Sequence, residues 1–107
     1  MAKFNIILKA SRYYFQFMAN NGNEIFTSNG YTTKEGCMVG STDIKSRTSF
    51  ESTYHRSDIL HDHRFNLLSA SGQIVAHSEG YITGTGRENA IIAVKTYAAG
   101  ALVFDMT

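Results

Sequence analysis

The chain has no proline, a single cysteine, no long apolar run and almost no net charge. Each absence excludes something. Without proline, every turn must be made by Gly, Asn, Asp or Ser. With Cys37 alone there is no internal disulfide, so folding does not depend on an oxidising compartment. No apolar stretch approaches the length that spans a bilayer. The start, Met1-Ala2-Lys3-Phe4, lacks the apolar run and cleavage site of a signal peptide, and a cytoplasmic location is expected. A net charge of +1 makes no global basic field, so nucleic acid is the less favoured partner. Hydrophobic residues at 43% and charged residues at 18% exclude a disordered chain.

What is present is a repeat. Ser28-Asn29-Gly30-Tyr31 recurs as Ser78-Glu79-Gly80-Tyr81, an offset of 50 residues. The same offset aligns Phe15 with Phe65, Phe17 with Leu67, Gly22 with Gly72, Ile25 with Val75, Ile44 with Val94 and Lys45 with Lys95. The chain therefore reads as one domain, 1–107, made of two units, 1–50 and 51–107. A unit of about 50 residues is marginal for a core of its own, so the two are expected to share one.

Alternation and aromatic or β-branched content predict strands over 4–9, 13–19, 24–28, 50–56, 64–69, 73–78 and 101–106. Ala10-Ser11-Arg12 is a short connection. Asn20-Asn21-Gly22 predicts a hairpin, since Asn-Gly tolerates positive φ at both turn positions. Residues 57–62 read as a loop. A first helix is expected over 34–46, capped by Thr32 or Thr33. Its apolar face is thin (Cys37, Met38, Gly40, Ser41, Ile44), and Gly36 and Gly40 weaken it by about 1 kcal/mol each. Gly40 reads as a place where helix and sheet approach closely. A second helix follows Thr85, with Glu88 completing a capping box, and ends at Gly100. Its stripe of Ala90, Ile91, Val94, Tyr97 and Ala98 is one-sided. The second unit is therefore expected to hold the core more firmly. The order β-β-β-α-β-β-β-α-β describes an α+β domain with its helices on one face.

The repeated segments carry a resemblance. Phe15-Gln16-Phe17-Met18-Ala19-Asn20-Asn21-Gly22 recurs as Phe65-Asn66-Leu67-Leu68-Ser69-Ala70-Ser71-Gly72. Arg87-Glu88-Asn89-Ala90-Ile91 opens the second helix, and Ala98-Ala99-Gly100-Ala101-Leu102-Val103-Phe104 leads into the last strand. Over nearly its whole length the chain resembles the YegP-like family of small bacterial proteins. The resemblance implies two tandem β-β-β-α-β units sharing one antiparallel sheet, with exchanged C-terminal strands and two helices on one face. The family has no established activity to carry over and no catalytic residues to map, and no cofactor is expected. The chain departs from the family pattern at Met38-Val39-Gly40-Ser41 and at Gly84, so the first repeat is the divergent one.

Candidate sites follow from the alternation. If Phe15 and Phe17 face inward, Tyr14, Gln16 and Met18 face outward, beside Asn5, Ile7 and Lys9. Arg64, Asn66 and Leu68 are their counterparts in the second unit. Tyr14, Gln16, Met18 and Arg64 are thus the candidate partner-binding residues of a non-catalytic binding or protein-interaction module. The partner would be another protein or a second copy of the chain. The alternative is a metal-dependent protein or enzyme using the His55, His61 and His63 region. Two residues apart on a strand, His61 and His63 would face the same side, as a metal pair requires, but no third ligand is fixed by spacing. Cys37 lies near a helix N-terminus, where a thiol can be activated, although a free cysteine is more often a buried apolar residue. Gly84-Thr85-Gly86-Arg87 matches neither phosphate-loop nor dinucleotide spacing. The repeated Ser-x-Gly-Tyr string is expected to be a hinge, with Tyr31 and Tyr81 largely buried between helix and sheet.

Overall fold

In the computed structural model, which describes residues 1–107, the elements follow the expected order. They are β1 (Lys3–Lys9), β2 (Arg12–Met18), β3 (Glu24–Ser28), α1 (Lys34–Arg47), a 3-10 turn (Glu51–Thr53), β4 (Tyr54–Ile59), β5 (Asp62–Leu68), β6 (Ile74–Ser78), α2 (Gly84–Tyr97) and β7 (Leu102–Asp105). All seven strands form one sheet in the order β4-β5-β6-β3-β2-β1-β7. Each unit is a three-stranded meander, and antiparallel pairing of β3 with β6 joins the two. The strand after α1 is β4, which pairs with β5 of the second unit. The strand after α2 is β7, which pairs with β1 of the first. The C-terminal strands are exchanged in this sense. The sheet is mixed rather than wholly antiparallel, because β7 runs parallel to β1. α2 carries the chain from β6 to β7, two strands of opposite sense, so the parallel pair joins the first and last strands of the chain.

The register explains the burial. Phe4 pairs with Phe17, and Ile6 with Phe15. Phe26 lies opposite Phe17, and Tyr54 and Ala76 lie opposite Leu67. These side chains point to one face, where Cys37, Ser41 and Ile44 of α1 and Ala90, Ile91 and Val94 of α2 cover them. Four fully buried phenylalanines (Phe4, Phe15, Phe17 and Phe26) belong to the first unit, against Phe65 alone in the second. Phe17 stacks on Phe26 with centroids 5.6 Å apart, and Phe4 tilts against Phe17 at 5.1 Å. Each such ring contributes roughly 1.5–3 kcal/mol through burial. The firmer half of the core is therefore the first unit, contrary to the helix pattern. A helix stripe reports only the helical side of the interface, and here the sheet side supplies the bulk.

Several local expectations change. The cap of α2 is Thr83, whose Oγ1 accepts from the Gly86 N–H at 3.0 Å, just as Thr33 caps α1 through Gly36. Thr85 lies inside the helix, and Glu88 turns to Arg56 and Arg87 instead of closing a capping box. Residues 57–59 continue β4, leaving only Leu60-His61 as its turn. Between β2 and β3, only Gly22 adopts positive φ (86°). The turn with two consecutive positive-φ residues is Ala10-Ser11 (51° and 67°), where neither residue is glycine or asparagine. Hairpin twist dictates this conformation whatever side chains are present. A left-handed L-residue costs roughly 1–2 kcal/mol.

Replacing Ala10→Asn together with Ser11→Gly should therefore raise stability by about 1 kcal/mol, read as a higher urea midpoint at unchanged slope. An unchanged or lower midpoint would show that this turn carries no such cost.

Candidate functional site: the helix-free face of the sheet

The repeated motif resolves into a structural device. The Ser28 hydroxyl accepts from the buried Phe15 N–H at 2.9 Å and donates to the Asn29 carbonyl. Ser78 does the same for Phe65 at 2.8 Å and for the Glu79 carbonyl. Each serine thus replaces the ladder partner lost where the chain lifts off the sheet. The chain then touches down again. Tyr31 exchanges two backbone hydrogen bonds with Tyr13, and Tyr81 exchanges two with His63. Both tyrosines are half-buried rather than fully enclosed. Tyr31 packs 6.1 Å from the Phe15 ring, and its hydroxyl reaches over Gly40, where a Cβ would lie only 2.3 Å from it. The close approach at Gly40 is made by this phenol. Ala90 occupies the equivalent place in α2, and Tyr81 there lines an open groove with Gly86, Asn89 and Ala90.

The opposite face of the sheet carries no helix. β1 presents Lys3, Asn5, Ile7 and Lys9 there, aligned with Met18, Gln16, Tyr14 and Arg12 of β2. Leu102 and Phe104 extend this face from β7, and the Lys3 ammonium sits 5.4 Å from the centroid of the Phe104 ring. Tyr14, Gln16 and Met18 are half-buried, and Leu102 and Phe104 are exposed. A shallow groove of about 270 Å³ runs between Ile7, Lys9, Tyr14, Gln16, Glu24 and Thr27. Within it the Glu24 carboxylate accepts from Thr27 at 2.6 Å and from Gln16 at 2.5 Å. Asn5 is buried beside Gln16, and its Oδ1 has no hydrogen-bond partner. An orphaned buried acceptor costs about 1–3 kcal/mol. Tyr14, Gln16 and Met18 thus form one surface, as expected. Arg64 does not join it. It lies on β5, three strand spacings or roughly 14 Å from β2, and pairs with Asp62 at 2.8 Å. The offset places Arg64 in an equivalent position, not a neighbouring one. Between the two regions, His77 bridges Asn66 (2.9 Å) and Asn29 (3.0 Å) across the seam of the two units.

The histidine region does not assemble into a site. His55 faces the helix-free side, His61 lies in the turn at φ 62°, and His63 faces the helix side, where its Nδ1 meets Asp58 at 2.7 Å. No three His, Cys, Asp or Glu side chains come together as metal ligands would. Cys37 is fully buried, and burial pushes its thiol up to about 11, away from a nucleophile's range. What the sequence reading missed is a lattice of ion pairs under α2. Arg87, itself buried, pairs with Asp58 (2.6 Å) and Glu88 (2.9 Å). Arg56 links Glu88 (2.8 Å) to Glu51, which also holds Lys95. At the repeat-equivalent positions the first unit has Ile6, Leu8, Tyr13, Cys37 and Met38 where the second has Arg56, Asp58, His63, Arg87 and Glu88. That run of apolar-to-charged exchanges at a fixed offset was the available signal. His63 and Arg87 hold the Asp58 carboxyl below its ordinary range, and Arg56 does so for Glu88. Lys95 and Arg56 likewise depress Glu51. Glu79 moves up, through burial and then its neighbour Glu24.

Comparison with known proteins places this architecture. The profile of a family described as "Domain of unknown function (DUF1508)" matches the chain twice, over residues 9–53 and 61–105. The UPF0339 protein YegP of Escherichia coli K12 is 33% identical over 110 aligned residues that span both chains completely. A solution structure of E. coli YegP, a protein of unknown function, superposes with a TM-score of 0.90, covering 99% of this chain and 93% of that one. A UPF0339 protein of Shewanella oneidensis is 27% identical and superposes at 0.92, covering 99% and 92%.

Two outcomes follow from this geometry. Ser28→Ala or Ser78→Ala leaves a buried N–H unsatisfied, and each should cost about 1–3 kcal/mol in urea unfolding. A loss below about 0.5 kcal/mol, within the range of ordinary surface changes, would remove the serines' structural role. The depressed carboxyls contribute stability above their unfolded pKa, near 4, and lose it as pH falls through their folded values. Asp105, held by Thr107 and Lys34, reaches about 2. The urea midpoint should thus fall between about pH 5 and pH 2, and less steeply in an Asp58→Asn, Glu88→Gln variant. Equal slopes in the two proteins would show that the lattice does not set the acid limb.

Proposed function

The chain belongs to the DUF1508 family, the UPF0339 proteins, and on that premise we propose that it is a non-catalytic interaction module. In this reading the helix-free face of β7, β1 and β2 docks a partner protein, with Tyr14, Gln16 and Met18 at the centre. The observation that carries it is the composition of that face. Ile7 lies opposite Tyr14, Leu102 and Phe104 follow along β7, and Met18 lies beyond Lys3, so apolar and aromatic side chains share this face with Lys3, Lys9 and Arg12. Tyr, Phe, Met and Arg are the residues enriched where proteins meet. The alternative of histidine-based chemistry has no such support, since His55, His61 and His63 face three ways. A cytoplasmic location belongs to the proposal and rests on a single, buried cysteine and on the absence of any disulfide requirement. No helix is long and apolar enough to cross a membrane.

The test is capture from a bacterial lysate by the immobilised protein, beside Tyr14→Ala, Met18→Ala and a control variant on the outer face of α2, Ile92→Ala. A partner retained by wild type and control but lost, by about tenfold or more, from the double variant is the expected result. Identical captures by all three proteins would rule out this face.

A further inference from the structure

The net charge of +1 conceals a partition. On the helix side and at the sheet ends, nearly every cation has a carboxylate. Lys34 pairs with Asp105, Arg47 with Asp43, Arg56 with Glu51 and Glu88, Arg64 with Asp62, Arg87 with Asp58 and Glu88, and Lys95 with Glu51. Lys45 lies over Phe4 and donates to the Ala101 carbonyl at 2.6 Å. The cations with neither a carboxylate nor a carbonyl are Lys3, Lys9 and Arg12. All three stand on the helix-free face of β1 and β2, with Lys9 and Arg12 directly opposite each other across the ladder. Like charges placed opposite one another in a sheet repel, so the fold gains nothing from that pair. The one carboxylate in the adjoining groove, Glu24, accepts from the neutral Gln16 and Thr27 side chains and pairs with none of the three cations.

From this we propose the occupant of that face: an acidic polypeptide segment with an apolar stripe. Its carboxylates would meet Arg12, Lys9 and Lys3, and its apolar side chains would rest on Ile7, Tyr14, Met18 and Phe104. The inference rests on the docking face of the previous section and specifies its partner. Charge complementarity argues against a second copy, because packing two such faces together would set three cations against three. It favours a polypeptide over single-stranded nucleic acid. Three cations neutralise few phosphates, and the Phe104 ring that bases would stack on already has Lys3 beside it. Aliphatic Ile7, Met18 and Leu102 suit an apolar side chain better than a base.

The experiment uses three probes against the ¹⁵N-labelled full chain. They are a designed amphipathic helical peptide with glutamates flanking a Leu/Phe stripe, its twin with lysines for glutamates, and a fifteen-nucleotide oligo(dT). The glutamate peptide should shift amides of β1, β2 and β7, and should bind about tenfold or more tighter than the lysine twin. Its affinity should fall about tenfold from low to high salt, and by a similar factor in a Lys9→Glu, Arg12→Glu variant whose amide spectrum remains folded. If the glutamate peptide binds no tighter than its twin, or if its shifts map elsewhere, the proposal is overturned. Tighter binding of oligo(dT) would overturn it in favour of nucleic acid. If both peptides bind equally and Tyr14→Ala, Met18→Ala abolishes both, the docking face stands and only its acidic partner falls.

Discussion

The antiparallel pairing of β3 with β6 is the constraint on which the rest of the molecule depends. Three residue pairs, Phe26 with Ser78, Thr27 with His77 and Ser28 with Ala76, lie across it. The Asn29 N–H then reaches the Val75 carbonyl and the Glu79 N–H the Ile25 carbonyl, each at 3.0 Å, so the seam is symmetric. Without it, β3 and β6 would each be an open edge, and each unit would hold a core too small to stand alone. With it, phenylalanines from one unit and Phe65 and Leu67 from the other belong to a single cluster. The repeated serines sit at the two ends of this seam. They let each chain leave the sheet there without abandoning the amide of Phe15 or Phe65. The string that repeats most clearly is thus the joint that the seam requires.

Around this joint the two units have solved the same packing problem differently. Beneath α1, the contacts with β1 and β2 are apolar, through Ile6, Tyr13 and Cys37. Beneath α2, the equivalent positions hold Arg56, His63 and Arg87 with their carboxylates. Ion pairs at half-exposed sites add little stability of their own, whereas buried rings add a good deal. It follows that the first unit's sheet carries the weight of the core, although its helix has the poorer apolar stripe. The lattice holds Glu51, Asp58 and Glu88 on the helix side, while Lys3, Lys9 and Arg12 on the opposite face have no carboxylate partner.

Much of the fold was legible in the chain itself, and the reasons are local. Strand alternation placed Phe15 and Phe17 inward and Tyr14, Gln16 and Met18 outward, which is the arrangement found. The offset of 50 residues announced two equivalent units, and their small size announced a shared core. Less was legible where a residue's role depends on a distant partner. Thr83 caps α2 although Thr85 with Glu88 made the better motif, because Arg56 and Arg87 claim the glutamate. Asn20-Asn21-Gly22 looked like the tight turn, yet the tight positive-φ turn falls on Ala10-Ser11, where strand twist rather than side-chain preference decides.

The candidate surface divides in the same way. Periodicity alone determined that Tyr14, Gln16 and Met18 share a face, because the alternation of side chains along a strand is a property of the backbone. It determined the repeat, the element order and the absence of a disulfide framework for the same reason: each is written in consecutive residues or in counts. The tertiary structure decided that Arg64 stands three strands away, that β7 brings Leu102 and Phe104 beside Lys3, and that His55, His61 and His63 diverge. It also decided which charges are matched and which are left over. Strand order and ion pairing are set by contacts between residues far apart in the chain, and a single sequence records those residues without recording which of them meet.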